Sequence, residues 1–137
     1  VLLTAGSTLP TAVTSYLAAH PGTVYAIGGP AAIADPSATP LTGVDRYATA
    51  AAVGTLFSSP TQVGVASGFT FADALTGGAY EAHFGGPLLL TAPATLPGST
   101  SSYLTGAKSS IVTTDIFGGT AAISAAVQTA ISTALGL

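Results

Sequence analysis

The sequence contains no cysteine, methionine, tryptophan or asparagine. Without cysteine there is no disulfide scaffold, no thiolate metal site and no cysteine nucleophile. Without asparagine there is no Asn-X-Ser/Thr glycosylation sequon. Charge is equally scarce: two basic and five acidic side chains make 5% of the 137 residues, where a soluble domain ordinarily carries about 25%. Two basic residues cannot neutralise a run of phosphates, which excludes nucleic acid as a partner. They also argue against a polybasic membrane anchor, and no basic start of a signal peptide is visible in these residues. The longest uncharged stretch near the end, 118–137, places Ile123, Val127, Ile131 and Leu135 at every fourth position. Ser124, Gln128, Thr129, Ser132 and Thr133 fall on the other faces. That pattern is an amphipathic helix packed on a core, with no membrane span.

What is abundant points to a folded chain. Hydrophobic residues make up 48%, with 17 glycines and 9 prolines between them. Disorder needs the opposite balance of low hydrophobicity and high net charge. Serine and threonine form about a quarter of the chain, so its surface is rich in hydroxyls. The length is that of one domain able to bury a core.

Internal similarity is the strongest signal. Residues 1–17, VLLTAGSTLPTAVTSYL, align with 88–104, LLLTAPATLPGSTSSYL, at an offset of 87. Leu2/Leu89, Leu3/Leu90, Thr4/Thr91, Thr8/Thr95, Pro10/Pro97, Tyr16/Tyr103 and Leu17/Leu104 are among the identical pairs. Further on, IGGPAAI (27–33) aligns with FGGTAAI (117–123) at an offset of 90. The expected organisation is therefore the back half of one repeat in 1–40 and a complete second repeat in 41–137. An array that starts in mid-unit reads as an excerpt from a longer tandem chain.

Local patterns predict alternating strands and helices. Leu2–Thr4 reads as a strand stub, Pro10–His20 as a helix and Thr23–Ile27 as a strand, with a short helix after Pro30. Residues 35–44, with Pro36, Pro40 and Gly43, read as a connector. A helix over 45–57, a strand over 62–67 and a helix ending at Phe84 follow, the last opened by a Thr70–Asp73 capping box. Then come a strand over 87–91, a helix over 97–106, a strand over 110–117 and a helix over 120–135. Alternation of this kind predicts an α/β fold with an open, mainly parallel sheet covered by helices. The apolar runs VGVA and PLLL suit strands buried on both faces.

In such a sheet, ligands sit beyond the carboxyl ends of the strands. Those ends are Gly28-Gly29, Ser67-Gly68-Phe69, Thr91-Ala92-Pro93 and Gly118-Gly119. Each leads towards a helix N-terminus with free backbone N–H groups, although a glycine there also serves turn geometry alone. None fits a dinucleotide-binding or phosphate-loop pattern. Arg46, the only arginine, reads either as an anion grip or as a structural ion pair with Asp45, Asp73 or Glu81. Phe69 and Phe71 are candidate sugar-stacking rings, while Tyr16 and Tyr103 read as core. Glu81 and His83 point to different helix faces, and His20 stands alone, so no metal cluster is expected. A serine-hydrolase elbow at Ser67 needs glycine at 65 and 69, where Val65 and Phe69 stand. No cofactor and no catalytic group are expected.

The ordered motifs GVDRYATA (43–50), VASGFTFADAL (65–75), GPLLLT (86–91), LP (96–97), YL (103–104) and FGGTAAIS (117–124) resemble the cell-wall-binding repeat, type 2. That family occurs in surface proteins and autolysins of Gram-positive bacteria. The resemblance implies a Rossmann-like or Toprim-like tandem α/β fold. It implies a secreted, non-catalytic anchor at the cell wall or cell surface, in three-module or homo-oligomeric assemblies. The partner it implies is a cell-wall polysaccharide or another anionic secondary wall polymer. It maps the family's Pro-Leu-Leu motif onto Pro87, Leu88 and Leu89. With Arg46, Ser67, Gly68, Phe69, Thr91, Gly118 and Gly119 these make the candidate polymer site. Asp45, Arg46 and Asp73 fall in its signature motifs as candidate structural charges. The competing expectations are a structural subunit of a surface layer or extracellular fibre, and an enzyme or small-molecule-binding domain of the open-sheet class.

Overall fold

A computed structural model describes residues 1–137. The chain forms two compact units, Val1–Val44 and Asp45–Leu137.

The first unit contains α1 (Thr11–Ala19), β1 (Tyr25–Ile27), α2 (Gly29–Ala34) and β2 (Thr39–Leu41). The two strands pair in parallel, Tyr25 with Thr39 and Ile27 with Leu41. Strand β2 lies inside the stretch expected to be a connector. Pro40 is tolerated there because β2 pairs on one side only, so its missing N–H costs no ladder bond on the other. The expected strand at Leu2–Thr4 does not form. Its counterpart in the repeat, Leu88–Thr91, is a strand by virtue of pairing with a neighbour, and residues 2–4 have none. Only a tight Ala5–Thr8 bridge orders this segment.

The second unit runs α3 (Arg46–Gly54), β3 (Gln62–Ser67), α4 (Ala72–Phe84), β4 (Leu88–Thr91), α5 (Gly98–Ala107), β5 (Thr113–Phe117) and α6 (Ala125–Leu135). The sheet order is β4-β3-β5, all parallel. Val63 to Ser67 are all buried, as a central strand covered on both faces requires. Side chains alternate between those faces. Val63 and Val65 join Leu89, Leu104, Ile123, Val127 and Ile131 in the main core. On the other face Gly64 lets α4 come close: a Cβ there would lie 2.6 Å from Glu81 Cγ.

Helix boundaries follow their caps. Asp45 starts α3 by accepting the Ala48 N–H at 2.7 Å, and Ser124 starts α6 by accepting that of Val127. The last helix therefore begins five residues later than expected, after a turn in which the Ser124 N–H donates to Pro93 O at 2.9 Å. The expected Thr70–Asp73 capping box does not form: Phe71 occupies the cap position without a side-chain bond, and Asp73 sits in the first turn. There its charge still favours the helix N-terminus. Strand β5 begins at Thr113, three residues later than expected, because Val112 and Thr113 N–H are the first to reach Thr61 O.

Candidate functional site

Because β4, β3 and β5 are parallel neighbours, their carboxyl ends form one rim. It brings together Ser67-Gly68-Phe69, Thr91-Ala92-Pro93 and Gly118-Gly119. One backbone bond and one side-chain bond hold the rim: Gly68 N–H donates to Thr91 O at 2.8 Å, and Phe69 N–H to Ser67 Oγ at 3.2 Å. The Ser67 and Thr91 side chains are fully buried. Thr91 Oγ1 donates to Ala92 O at 3.2 Å, so these two hydroxyls shape the rim from inside.

Arg46, in the first turn of α3, reaches across to this rim. Its Nη1 donates to Gly68 O at 2.5 Å, and the Tyr47 ring packs against Gly68, where a Cβ would lie 2.7 Å from Tyr47 Cε1. A guanidinium has five N–H donors, so the other donors of this exposed side chain stay available. The expected ion pair among Asp45, Arg46 and Asp73 does not form. Asp45 is committed to its cap and Arg46 to a carbonyl. The Asp73 carboxylate lies instead beside Gly118, whose φ of +120° excludes most side chains and whose absent Cβ would sit 2.8 Å from Asp73 Oδ2.

Two phenyl rings flank the rim in solvent, Phe69 at 78% and Phe71 at 77% exposure. Pro87, Leu88 and Leu89 do not belong here. Pro87 precedes β4, and Leu88 and Leu89 form its first half, ahead of the rim residue Thr91. Pro87 and Leu89 are buried, and Leu88 is half-buried, because an apolar run on a strand covered on both faces is core.

Away from the rim, Glu81 of α4 is fully buried, and neither carboxylate oxygen has a hydrogen-bond partner. Burial pushes its pKa up. The Gln62 amide opposes this in part and nearby Asp115 adds to it, while Gln62 Nε2 itself donates to Asp115 Oδ2 at 2.9 Å. Burial also raises the Tyr103 phenol. A separate cleft of about 350 Å³ opens beside the C-terminal ends of α3 and α5, lined by Ser59, Tyr103, Ser109 and Ser110 among others. The cleft, the buried Glu81 and the Tyr47–Gly68 contact have no sequence signature, since each joins residues far apart in the chain. No group of three or more His, Asp or Glu side chains could hold a metal ion, and no helix is long and apolar enough to cross a membrane.

The second unit is a parallel α/β module whose rim displays backbone groups, aromatic faces and one guanidinium. Residues 41–128 match the cell wall binding domain 2 (CWB2) family, and the chain belongs to it. Among solved structures it is similar to Cwp6 from Clostridium difficile, with a TM-score of 0.79 and 20% identity over 93% of this chain. It is also similar to Cwp8 from Clostridium difficile, with a TM-score of 0.74 and 19% identity over 92% of this chain. The matches span 22% and 23% of those two chains. They share the fold expected from the sequence. A comparison with curated protein sequences finds no significant match.

Proposed function

We propose that this chain is a non-catalytic module that anchors a protein to a cell-wall polymer at the surface of a Gram-positive cell. The family match over 41–128 carries this reading. In it, residues 1–40 and 41–137 are parts of two copies of one wall-binding repeat.

The polymer lies along the rim of the β4-β3-β5 sheet. Sugar rings stack on Phe69 and Phe71, the free Arg46 donors meet hydroxyl or anionic groups, and the exposed backbone at Gly119 supplies further polar contacts. Ser67, Gly68 and Thr91 hold the rim in shape. With Arg46 the only basic side chain placed at this rim, electrostatic attraction is small. Affinity comes from several weakly binding repeats acting together.

The test is retention on purified, protein-free walls. Retention that grows with the number of tandem copies supports the reading. No retention, even from a tandem chain, overturns it. A structural subunit of a surface layer is the second reading, favoured by the near-absence of charge, which leaves little repulsion between copies. Ordered sheets or fibres under the electron microscope, formed without polymer, would favour that reading.

A further inference from the structure

Pro87 leaves a gap in the sheet ladder. Gly64 pairs with Leu88, and its N–H donates to Pro87 O at 3.0 Å. In a parallel ladder of that register, the donor opposite Gln62 O is the N–H of residue 87. Proline has no N–H, so the Gln62 carbonyl faces β4 without its ladder partner.

The Glu81 carboxyl lies at the same place. A Cβ on Gly86 would be 2.5 Å from Gln62 O and 2.6 Å from Glu81 Oε2, so the two oxygens converge above Gly86. Glu81 is fully buried, and as acceptors its oxygens find no donor. Its Cγ is seated over Gly64, 2.6 Å from where a Cβ would stand, which keeps the side chain against the sheet. A carboxylate and a carbonyl are both acceptors only, and such a buried pair repels. A protonated carboxyl has one O–H to donate.

The charged surroundings agree. Helix α4 packs on β3, β4 and β5. Strands β3 and β4 carry no titratable side chain. Strand β5 brings Asp115, whose Oδ2 accepts from Gln62 Nε2 at 2.9 Å and whose charge opposes a second one on Glu81. On α4 itself, Tyr80 meets Phe117 edge-on, exposed His83 meets Phe84, and Asp73 lies at the far end beside Gly118. The two basic side chains are elsewhere, Arg46 on Gly68 O and Lys108 at the end of α5.

We propose that Glu81 is a proton-dependent latch: its carboxyl O–H donates to the Gln62 carbonyl in place of the N–H that Pro87 lacks, fastening the C-terminal half of α4 to the sheet. Loss of the proton sets two acceptor oxygens against each other beside Asp115, and the last turns of α4 loosen. The latch is closed at low pH and opens as pH rises. Pro87 has the task of leaving the acceptor free. None of this rests on wall binding, so its failure leaves the retention test untouched.

Glu81 is the only glutamate in the chain, so labelling with glutamate carrying ¹³C at the side-chain carboxyl gives one signal to titrate. That signal should stay in its protonated position at least about one pH unit above the ordinary value. Beyond that, hydrogen-exchange protection at His83, Phe84 and Gly86, corrected for the intrinsic pH dependence of exchange, should fall by up to about tenfold per pH unit. In Glu81→Gln, whose amide donates without titrating, the corrected protection should not change with pH. Glu81→Leu should lower it at every pH, and by less when combined with Pro87→Ala, which restores the ladder N–H. A carboxyl that titrates at the ordinary value overturns the proposal, whether or not the variants fold. So does protection that falls equally in Glu81→Gln, or a Glu81→Leu effect of the same size in both backgrounds. A titration displaced by added calcium also overturns it, since a cation would then bridge the two oxygens.

Discussion

The Tyr103 ring packs against Gly54, and its hydroxyl donates to the Gly54 carbonyl at 3.1 Å. A Cβ at Gly54 would lie 2.6 Å from Tyr103 Cε2. This contact joins α3 to α5, so Gly54→Ala should displace the ring. The helix gains up to about 1 kcal/mol from alanine, but overpacking costs about 1–3 kcal/mol, and the net effect should be destabilising. Tyr103→Phe should cost less, about 0.5–1 kcal/mol. The Gly54 carbonyl keeps a second donor, the Phe57 N–H at 3.0 Å. Chemical denaturation of both variants measures the difference.

Glu81 makes stability depend on pH with a definite sign. Its folded pKa is raised by burial, so the fold favours the protonated form. Its contribution is fully present below the ordinary carboxylate value near 4.5 and is lost as pH rises from there through the raised value. Glu81→Gln removes this titration. The difference in unfolding free energy between variant and parent should therefore shift in favour of the variant as pH rises, then level off. Denaturation midpoints across that pH range should show it, and a flat difference would contradict a Glu81 carboxyl whose pKa burial has raised.

Asp45 and Asp73 lie in neighbouring signature motifs but differ in role. Asp45→Ala should cost about 1 kcal/mol through loss of the α3 cap, and Asp45→Asn should recover most of it. An ion-pair role for Asp45 would make asparagine as damaging as alanine. Thermal or denaturant unfolding of the two variants distinguishes these.

Phe69→Ala and Phe71→Ala test the polymer site separately from the fold. Both rings are largely in solvent, so stability should change by less than about 0.5 kcal/mol. Retention of a tandem chain on purified walls should fall, because losses multiply across repeats. Unaltered retention would move the polymer away from this rim.

Much of the fold was legible because its signals are local. The alternation of apolar runs and helical stretches, the Pro-Gly punctuation and the repeated LLLT and GG segments each lie within a few residues. They are sufficient for a parallel α/β chain. The candidate site was legible only in outline. Parallel strands put Ser67, Thr91 and Gly118 on one rim, as expected, but their exposure depends on what covers them. Pro87-Leu88-Leu89 reads as a motif in sequence and is mostly interior in space. The capping box at Thr70 and the pairing of Arg46 with a carboxylate failed for a related reason. Each side chain had more than one partner within reach of the pattern, and packing chose between them.

The scarcity of charge, the absence of cysteine and the internal repeat are properties of the sequence alone. They determined that no disulfide or cysteine chemistry is available and that few side chains can make electrostatic contacts, while the alternating pattern pointed to the parallel sheet. Tertiary structure decided what the few charges do. Asp45 caps a helix, Arg46 holds the Gly68 carbonyl, Asp73 lies against Gly118 and Glu81 is buried without a hydrogen bond. It also decided that Leu2 and Leu89, identical in sequence context, are open in one unit and buried in the other. Strand formation and burial require a neighbour, and a neighbour is supplied by the fold rather than by the segment itself.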